Sequence, residues 1–248
     1  MPKVLVSGVD LNYEEVGEGA PFIYIAATRF DSAKAWVAPM RERATGFRVI
    51  LPDPRGMAGS AHVSSIRPSD WIDDLAGLLD ALSISSVHLA AETLGTRIAT
   101  RFAADHPDRV ATLILNAPIA YSSPSGDAQR AAALSEQRKR DLEYHHGSDW
   151  EAVNAFYLGL HAQPAFHEYF DLRAVADRVP APVLVMRGDV DDPVHPIGHA
   201  VELHARFPRS WLAIFPNTEF NAIRGRPEQA WSTIREFIAA SGGGSGRG

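Results

Sequence analysis

The feature that most constrains this sequence is an alternation between two kinds of apolar segment. Short β-rich runs fall at 3–7, 11–16, 22–26, 47–51, 86–91, 110–116, 182–186 and 211–215. Longer runs of helical period separate most of them, at 32–43, 69–82, 94–106, 196–207 and 227–240. In the run 69–82, Trp71, Leu75, Leu78, Leu79 and Leu82 share one face, Ser69 stands at the cap, and Asp73 and Asp74 lie near the positive helix end. Strand–helix–strand repetition at this spacing needs crossover connections, so the chain is expected to be α/β with a mostly parallel sheet. Parallel strands are covered on both faces, and 86–91 and 110–116 read as unbroken apolar runs of that kind.

One stretch breaks the rhythm. Residues 120–177 contain no strand pattern but carry Tyr144, Trp150, Phe156, Tyr157, Phe166, Tyr169 and Phe170. About three helices are expected there, inserted as a cap over the carboxyl ends of the strands, where ligands bind in open α/β sheets. The expected organisation is a core of residues 1–119 and 178–240, a helical cap at 120–177 and a flexible Gly/Ser-rich tail at 241–248.

Composition narrows the function. The 248 residues are 46% hydrophobic and 22% charged, the balance of a globular protein. No cysteine is present, which removes disulfides, thiolate chemistry and Cys-ligated zinc. With 24 basic and 30 acidic residues the net charge is −6, and no basic run exists, so nucleic acid is not an expected partner. No apolar run approaches a membrane span, and residues 1–7 lack a signal-peptide pattern. A cytoplasmic domain for a small molecule is the expectation, with a homodimer left open.

Five segments sharpen the reading. They are Leu-Pro-Asp-Pro-Arg-Gly-Met-Ala-Gly-Ser at 51–60, Ala-Glu-Thr-Leu-Gly at 91–95, His-Pro-Asp-Arg-Val at 106–110, Gly-Asp-Val-Asp at 188–191 and Arg-Pro-Glu at 226–228. Together they resemble the α/β-hydrolase fold, over residues 2–238. The resemblance implies an eight-stranded, mostly parallel sheet flanked by helices. It also implies a G-x-S-x-G nucleophile elbow at 91–95. Thr93 then takes the nucleophile position, and Glu92 before it and Leu94 after it are expected to contact substrate. Asp191 takes the place of the acid. The oxyanion-loop positions are Ala27 and Thr28, followed by Arg29. Counting back six from Arg226 places Phe220 where the family carries its histidine.

The catalytic triad is therefore expected to be degenerate. Thr93 keeps a hydroxyl but adds a methyl group at a turn that usually has positive φ, so either the turn relaxes and Thr93 is structural or the strain is kept for function. Phe220 cannot carry a proton and is expected to fill the space an imidazole would take. Arg29 offers two donors to a carboxylate, phosphate or enolate, unless it turns outward to Asp31. If buried, it needs Asp191, Glu219 or an anionic ligand as partner. Tyr157 and His161 are cap residues expected to contact substrate, and Asp53 and Arg55 are expected to pair. Asp192 is expected to be exposed. His145 and His146 diverge by about 100° on a helix, so no metal is expected, and no Gly-rich phosphate loop suggests a cofactor.

The expected function is a small-molecule enzyme with a rebuilt, non-hydrolytic site of lyase, isomerase, decarboxylase or cyclase type. Its substrate would be an apolar carbonyl or carboxylate compound. The alternatives are a pseudoenzyme that binds a ligand or a partner chain, and a residual hydrolase using Thr93.

Overall fold

The computed structural model describes residues 2–26 and 29–242. In chain order the strands are β1 (Lys3–Val6), β2 (Val9–Val16), β3 (Ala20–Ile25), β4 (Phe47–Pro52), β5 (Val87–Glu92), β6 (Val110–Asn116), β7 (Val183–Gly188) and β8 (Ser210–Phe215). The helices are α1 (Ala33–Arg43), α2 (Asp70–Ala81), α3 (Leu94–Asp105), α4 (Pro124–Ala131), α5 (Glu136–His146), α6 (Trp150–His161), α7 (Pro164–Tyr169), α8 (Ile197–Arg206), α9 (Ala222–Gly225) and α10 (Pro227–Gly242). All eight strands join one sheet in the order β1-β2-β4-β3-β5-β6-β7-β8. The two pairings of β2 are antiparallel, and every pairing from β4 to β8 is parallel. The α/β expectation and the parallel sheet are thus realised.

Side-chain alternation divides the core into two layers. Ile23, Ile25, Leu89, Leu113, Leu115, Val183 and Val185 face α2, α3 and α8. Phe22, Tyr24, Ala90, Ile114, Leu184 and Met186 face α1 and α10. With helices on both faces, the central strands have no solvent side, which explains their unbroken apolar runs.

Some local expectations change. Ser69 makes no capping hydrogen bond and has a helical backbone. Asp70 instead accepts from the Arg67 N–H at 2.9 Å. Asp53 and Arg55 do not pair. Asp53 accepts from the Asn12 amide at 2.7 Å and the Ala33 N–H at 2.7 Å, while Arg55 reaches the buried Asp74 through Nε at 2.9 Å. The inserted region holds four helices rather than three, α4 to α7, followed by two 3-10 turns at Leu172–Ala174 and Ala176–Arg178. Ser241 and Gly242, expected in the tail, complete α10, and the rest of that tail lies outside the described residues.

The chain turns most sharply between β5 and α3. Thr93 has φ +50° and ψ −121°, and its N–H donates to the Asn116 carbonyl at 3.1 Å. A β-branched residue in this region stores about 1–3 kcal/mol of backbone strain. The turn holds because α3 starts against β3 with no side chain between them. A Cβ on Gly95 would lie 2.6 Å from the Ile25 carbonyl oxygen. Gly95→Ala is therefore expected to cost about 1–3 kcal/mol through overpacking, read as a lower urea midpoint with unchanged slope.

Candidate active site

The elbow opens onto a cavity of about 540 Å³ between the carboxyl ends of the strands and the inserted helices. Its floor carries Glu92, Thr93, Leu94, Asn221 and Arg224, its roof Arg29, Arg130, Arg138 and Tyr157, and its sides Asp192, His195 and Phe220. As the first residue of α3, Leu94 presents one of the four N–H groups that a helix leaves without an internal acceptor. That places a backbone donor beside Thr93, at the positive end of the helix.

The floor is a closed polar network. Glu92 accepts from the Tyr24 hydroxyl at 2.7 Å, the Asn221 amide at 2.8 Å and Arg224 Nη2 at 3.1 Å. Arg224 also binds Asp31, which accepts the Trp36 indole N–H at 2.7 Å as well. Glu92 was expected to bind substrate, but its oxygens are taken by these donors, so it braces the elbow. Burial, with repulsion from Glu92, pushes Asp31 up to about 7, while Arg224, Trp36 and the Ser32 N–H pull it down.

The roof has the opposite character. Arg29 is buried but does not meet Asp31, Asp191 or Glu219. It donates to the Asn154 side-chain oxygen at 2.8 Å and the Arg130 carbonyl at 2.7 Å, both neutral acceptors. Its guanidinium also lies over the rings of Phe30 and Tyr157, at 4.9 Å and 5.4 Å from their centroids. Arg130 pairs with Asp127 at 2.6 Å, yet its buried Nε and Nη2 have no partner among the described residues. Behind it Arg97 is fully buried, and desolvation lowers it to about 9. The Arg29 position is pinned from the cap: His146 accepts from the Ala58 N–H at 3.0 Å through Nδ1, so its Nε2 donates to the Arg29 carbonyl at 2.7 Å. His145 instead meets the Ser32 hydroxyl at 2.8 Å.

Three expected site residues are corrected. Asp191 lies largely in solvent; its carboxylate accepts from the Ile197 N–H at 2.8 Å and is absent from the cavity wall. Its neighbour Asp192, expected to be exposed, takes the wall position instead. His161 is buried behind Tyr157 and Phe166, outside the cavity wall, and burial drives it down to about 2. Phe220 leaves the cavity open, stacking on His195 at 4.2 Å with planes 10° apart. Tyr157, Leu94, Thr93 and Arg29 do line the cavity, while Ala27 and Thr28 lie outside the described residues.

His195 was missed. It lies in the loop after β7, and its Nδ1 sits 2.8 Å from Asp192 Oδ1. The signal was present as Asp-Pro-Val-His at 192–195, an acid and a histidine three residues apart. Loop stitching brings this pair to Phe220. Gly188 donates to the Phe220 carbonyl at 3.2 Å and Val190 to the Thr218 carbonyl at 3.0 Å. A Cβ on Gly188 would lie 1.9 Å from the Glu219 carbonyl oxygen, so only glycine permits this approach.

Comparison with known proteins places these features. A sequence model of the alpha/beta hydrolase fold matches residues 30–161. The 2-hydroxymuconate semialdehyde hydrolase of Pseudomonas sp. (strain CF600) is 30% identical over 186 residues, 68% of this chain and 63% of that protein. The chain thus spans under two thirds of that relative's length. The human serine hydrolase BPHL is 25% identical over 232 residues, covering 88% of this chain and 79% of its own. Among solved structures, the meta-cleavage product hydrolase CumD of Pseudomonas fluorescens IP01, an S103A mutant complexed with acetates, superposes with a TM-score of 0.77. That match has 21% identity and covers 97% of this chain and 98% of that one, a likeness of fold.

The floor network makes a signed prediction. A carboxyl whose folded pKa exceeds its unfolded value binds a proton on folding, so its stability contribution falls as pH rises between the two. For Asp31 that window runs from 3.8 to about 7. Arg224→Met removes the cation that both carboxylates share, so the window should widen and the slope steepen. The variant should lose more stability at pH 7.5 than at pH 5, measured as urea midpoints beside the wild type.

Proposed function

Because this chain belongs to the α/β-hydrolase fold family, we propose that it hydrolyses a small carbonyl compound carrying a carboxylate, with Thr93 as the nucleophile. The observation that carries the reading is the retained elbow. Thr93 is held at φ +50° on the floor of the cavity, although a relaxed turn would remove the strain of a branched side chain there. Strain of this kind persists where the surroundings over-determine it, as at a site that must present a hydroxyl. The sequence had pointed to a non-hydrolytic reaction because Phe220 removes a proton carrier. Kinship with proteins named as hydrolases and the strained elbow both favour hydrolysis instead.

The carboxylate follows from the charges. The floor matches its cation with Asp31 and Glu92. Around the roof, Arg29 and Arg138 have no carboxylate of the described residues within ion-pair distance. Arg138 is exposed, but Arg29 is a buried guanidinium without a counter-charge, which is costly, and an anionic substrate compensates that cost on binding. The same charges sit above the elbow, so they hold the substrate carbonyl near Thr93 and the Leu94 N–H. Tyr157 supplies an apolar surface and a hydroxyl beside them.

A pair of esters with equal chain length separates this reading from a generic esterase. Mono-p-nitrophenyl adipate keeps a free carboxylate, and p-nitrophenyl hexanoate does not. The expected kcat/KM is at least about tenfold higher for the adipate ester, equivalent to roughly 1.4 kcal/mol. Arg29→Met should abolish that preference while the circular dichroism spectrum and thermal midpoint stay close to wild type. Failure to turn over either ester, or a preference unchanged in Arg29→Met, would count against the proposal.

A further inference from the structure

The family's histidine position is filled by Phe220, yet an imidazole stands one ring thickness away. His195 stacks on Phe220 with centroids 4.2 Å apart and planes 10° from parallel. It comes from the loop after β7, whereas Phe220 comes from the loop after β8. We propose that His195, oriented by Asp192, is the catalytic residue that moves the proton in the reaction at Thr93, a histidine transferred from one loop to its neighbour. This rests on the hydrolytic reading above.

The geometry has the parts such a group needs. His195 and Thr93 line the same cavity. Asp192 Oδ1 lies 2.8 Å from His195 Nδ1 and accepts the N–H groups of Val194 and His195, each at 2.9 Å. Those backbone donors hold the carboxylate in one orientation, which assigns the proton to Nδ1 and leaves the Nε2 lone pair as acceptor. No described residue makes a hydrogen bond to that Nε2. The Phe220 ring fixes the imidazole plane, so the substitution that removed one histidine supports another.

The charge states agree. Burial lowers His195, and Arg130 from α4 and Arg187 from β7 act the same way, against the raising effect of Asp192. The imidazole is therefore neutral at pH 7, as a base must be. Burial raises Asp192, but His195 and the two backbone donors outweigh it and hold the carboxyl at about 2. Other titratable groups near the site are poor candidates. Both nitrogens of His167 are engaged, by the Ser122 hydroxyl and the His161 carbonyl, each at 2.6 Å. His161 lies behind Tyr157, and Glu219 is exposed.

The steps balance without a further reagent. Thr93 Oγ1 adds to the substrate carbonyl carbon and its proton passes to His195 Nε2. The bond to the leaving group then breaks, and the leaving group takes that proton. Water adds to the acyl carbon and gives a proton to Nε2. The bond to Oγ1 breaks, and Thr93 takes the proton back. One water is consumed.

The experiment uses the full chain, mono-p-nitrophenyl adipate and an alkyl fluorophosphonate that phosphonylates activated hydroxyl groups. His195→Gln should lower kcat/KM by at least about 10²-fold and remove the acid limb, below pH 6.5, of the wild-type pH profile. Asp192→Asn, which unsettles the tautomer and removes the charge that raises His195, should lower kcat with little change in KM. His195→Gln should also slow phosphonylation of Thr93, read by mass spectrometry, at least tenfold. Thermal unfolding confirms that each variant folds. If the wild type turns over the ester and His195→Gln matches it, the transferred histidine is overturned and the hydrolytic reading stands. If the wild type neither turns over the ester nor labels at Thr93, both fall.

Discussion

A single guanidinium ties together the parts from which the candidate site is built. Arg224, on α9, is shared by Asp31 in the loop after β3 and Glu92 at the end of β5. Two buried carboxylates this close are tolerable only with a cation between them. Asn221, next to α9, extends the clamp: it donates to Glu92 at 2.8 Å and accepts from the Asn116 amide, at the end of β6, at 2.7 Å. The ends of β3, β5 and β6 are thereby fixed relative to the segment that follows β8. Thr93 stands on that platform, and its strain is held because the strand before it and the helix after it cannot move apart.

The cavity joins two electrostatic regimes. Its floor is matched, with donors and acceptors closed on one another, and closed networks are rigid. Its roof is less well matched, with Arg29 on neutral acceptors and Arg130, though paired with Asp127, keeping two donors unsatisfied among the described residues. A matched floor suits a part that must not move when substrate arrives. A less well matched roof suits a part whose energy improves when an anion enters. The desolvation cost of the buried Arg29 guanidinium is the one that the proposed anionic substrate would offset.

Much of the architecture was legible from local pattern. The central strands β3 to β7 were evident because a strand buried on both faces leaves an unbroken apolar run, the partly exposed β1, β2 and β8 from their β-rich composition, and the helices of the core because period 3.6 needs only one chain segment to be visible. The elbow was legible from Ala91 to Gly95, since a tight crossing demands small residues. Arg29 was visible as a charge where none is usual. The carboxylate at the cavity wall was read one residue off, as Asp191 where the structure has Asp192. Adjacent loop residues point in different directions, and no periodicity says which one faces inward.

What the sequence by itself determined is the fold, the place of the tight turn and the absence of a proton carrier at Phe220. Each follows from properties local to a segment: hydrophobic period, the steric demand of a turn, the chemistry of one side chain. Tertiary structure alone decided that Arg29 ends among neutral acceptors, that Glu92 is braced rather than free, and that His195 lies against Phe220. Residues 195 and 220 are twenty-five positions apart and on different loops. Hydrogen bonds from Gly188 to Phe220, from Val190 to Thr218 and from the Thr218 N–H to the Asp189 carboxylate bring those loops together, and such contacts depend on two segments at once.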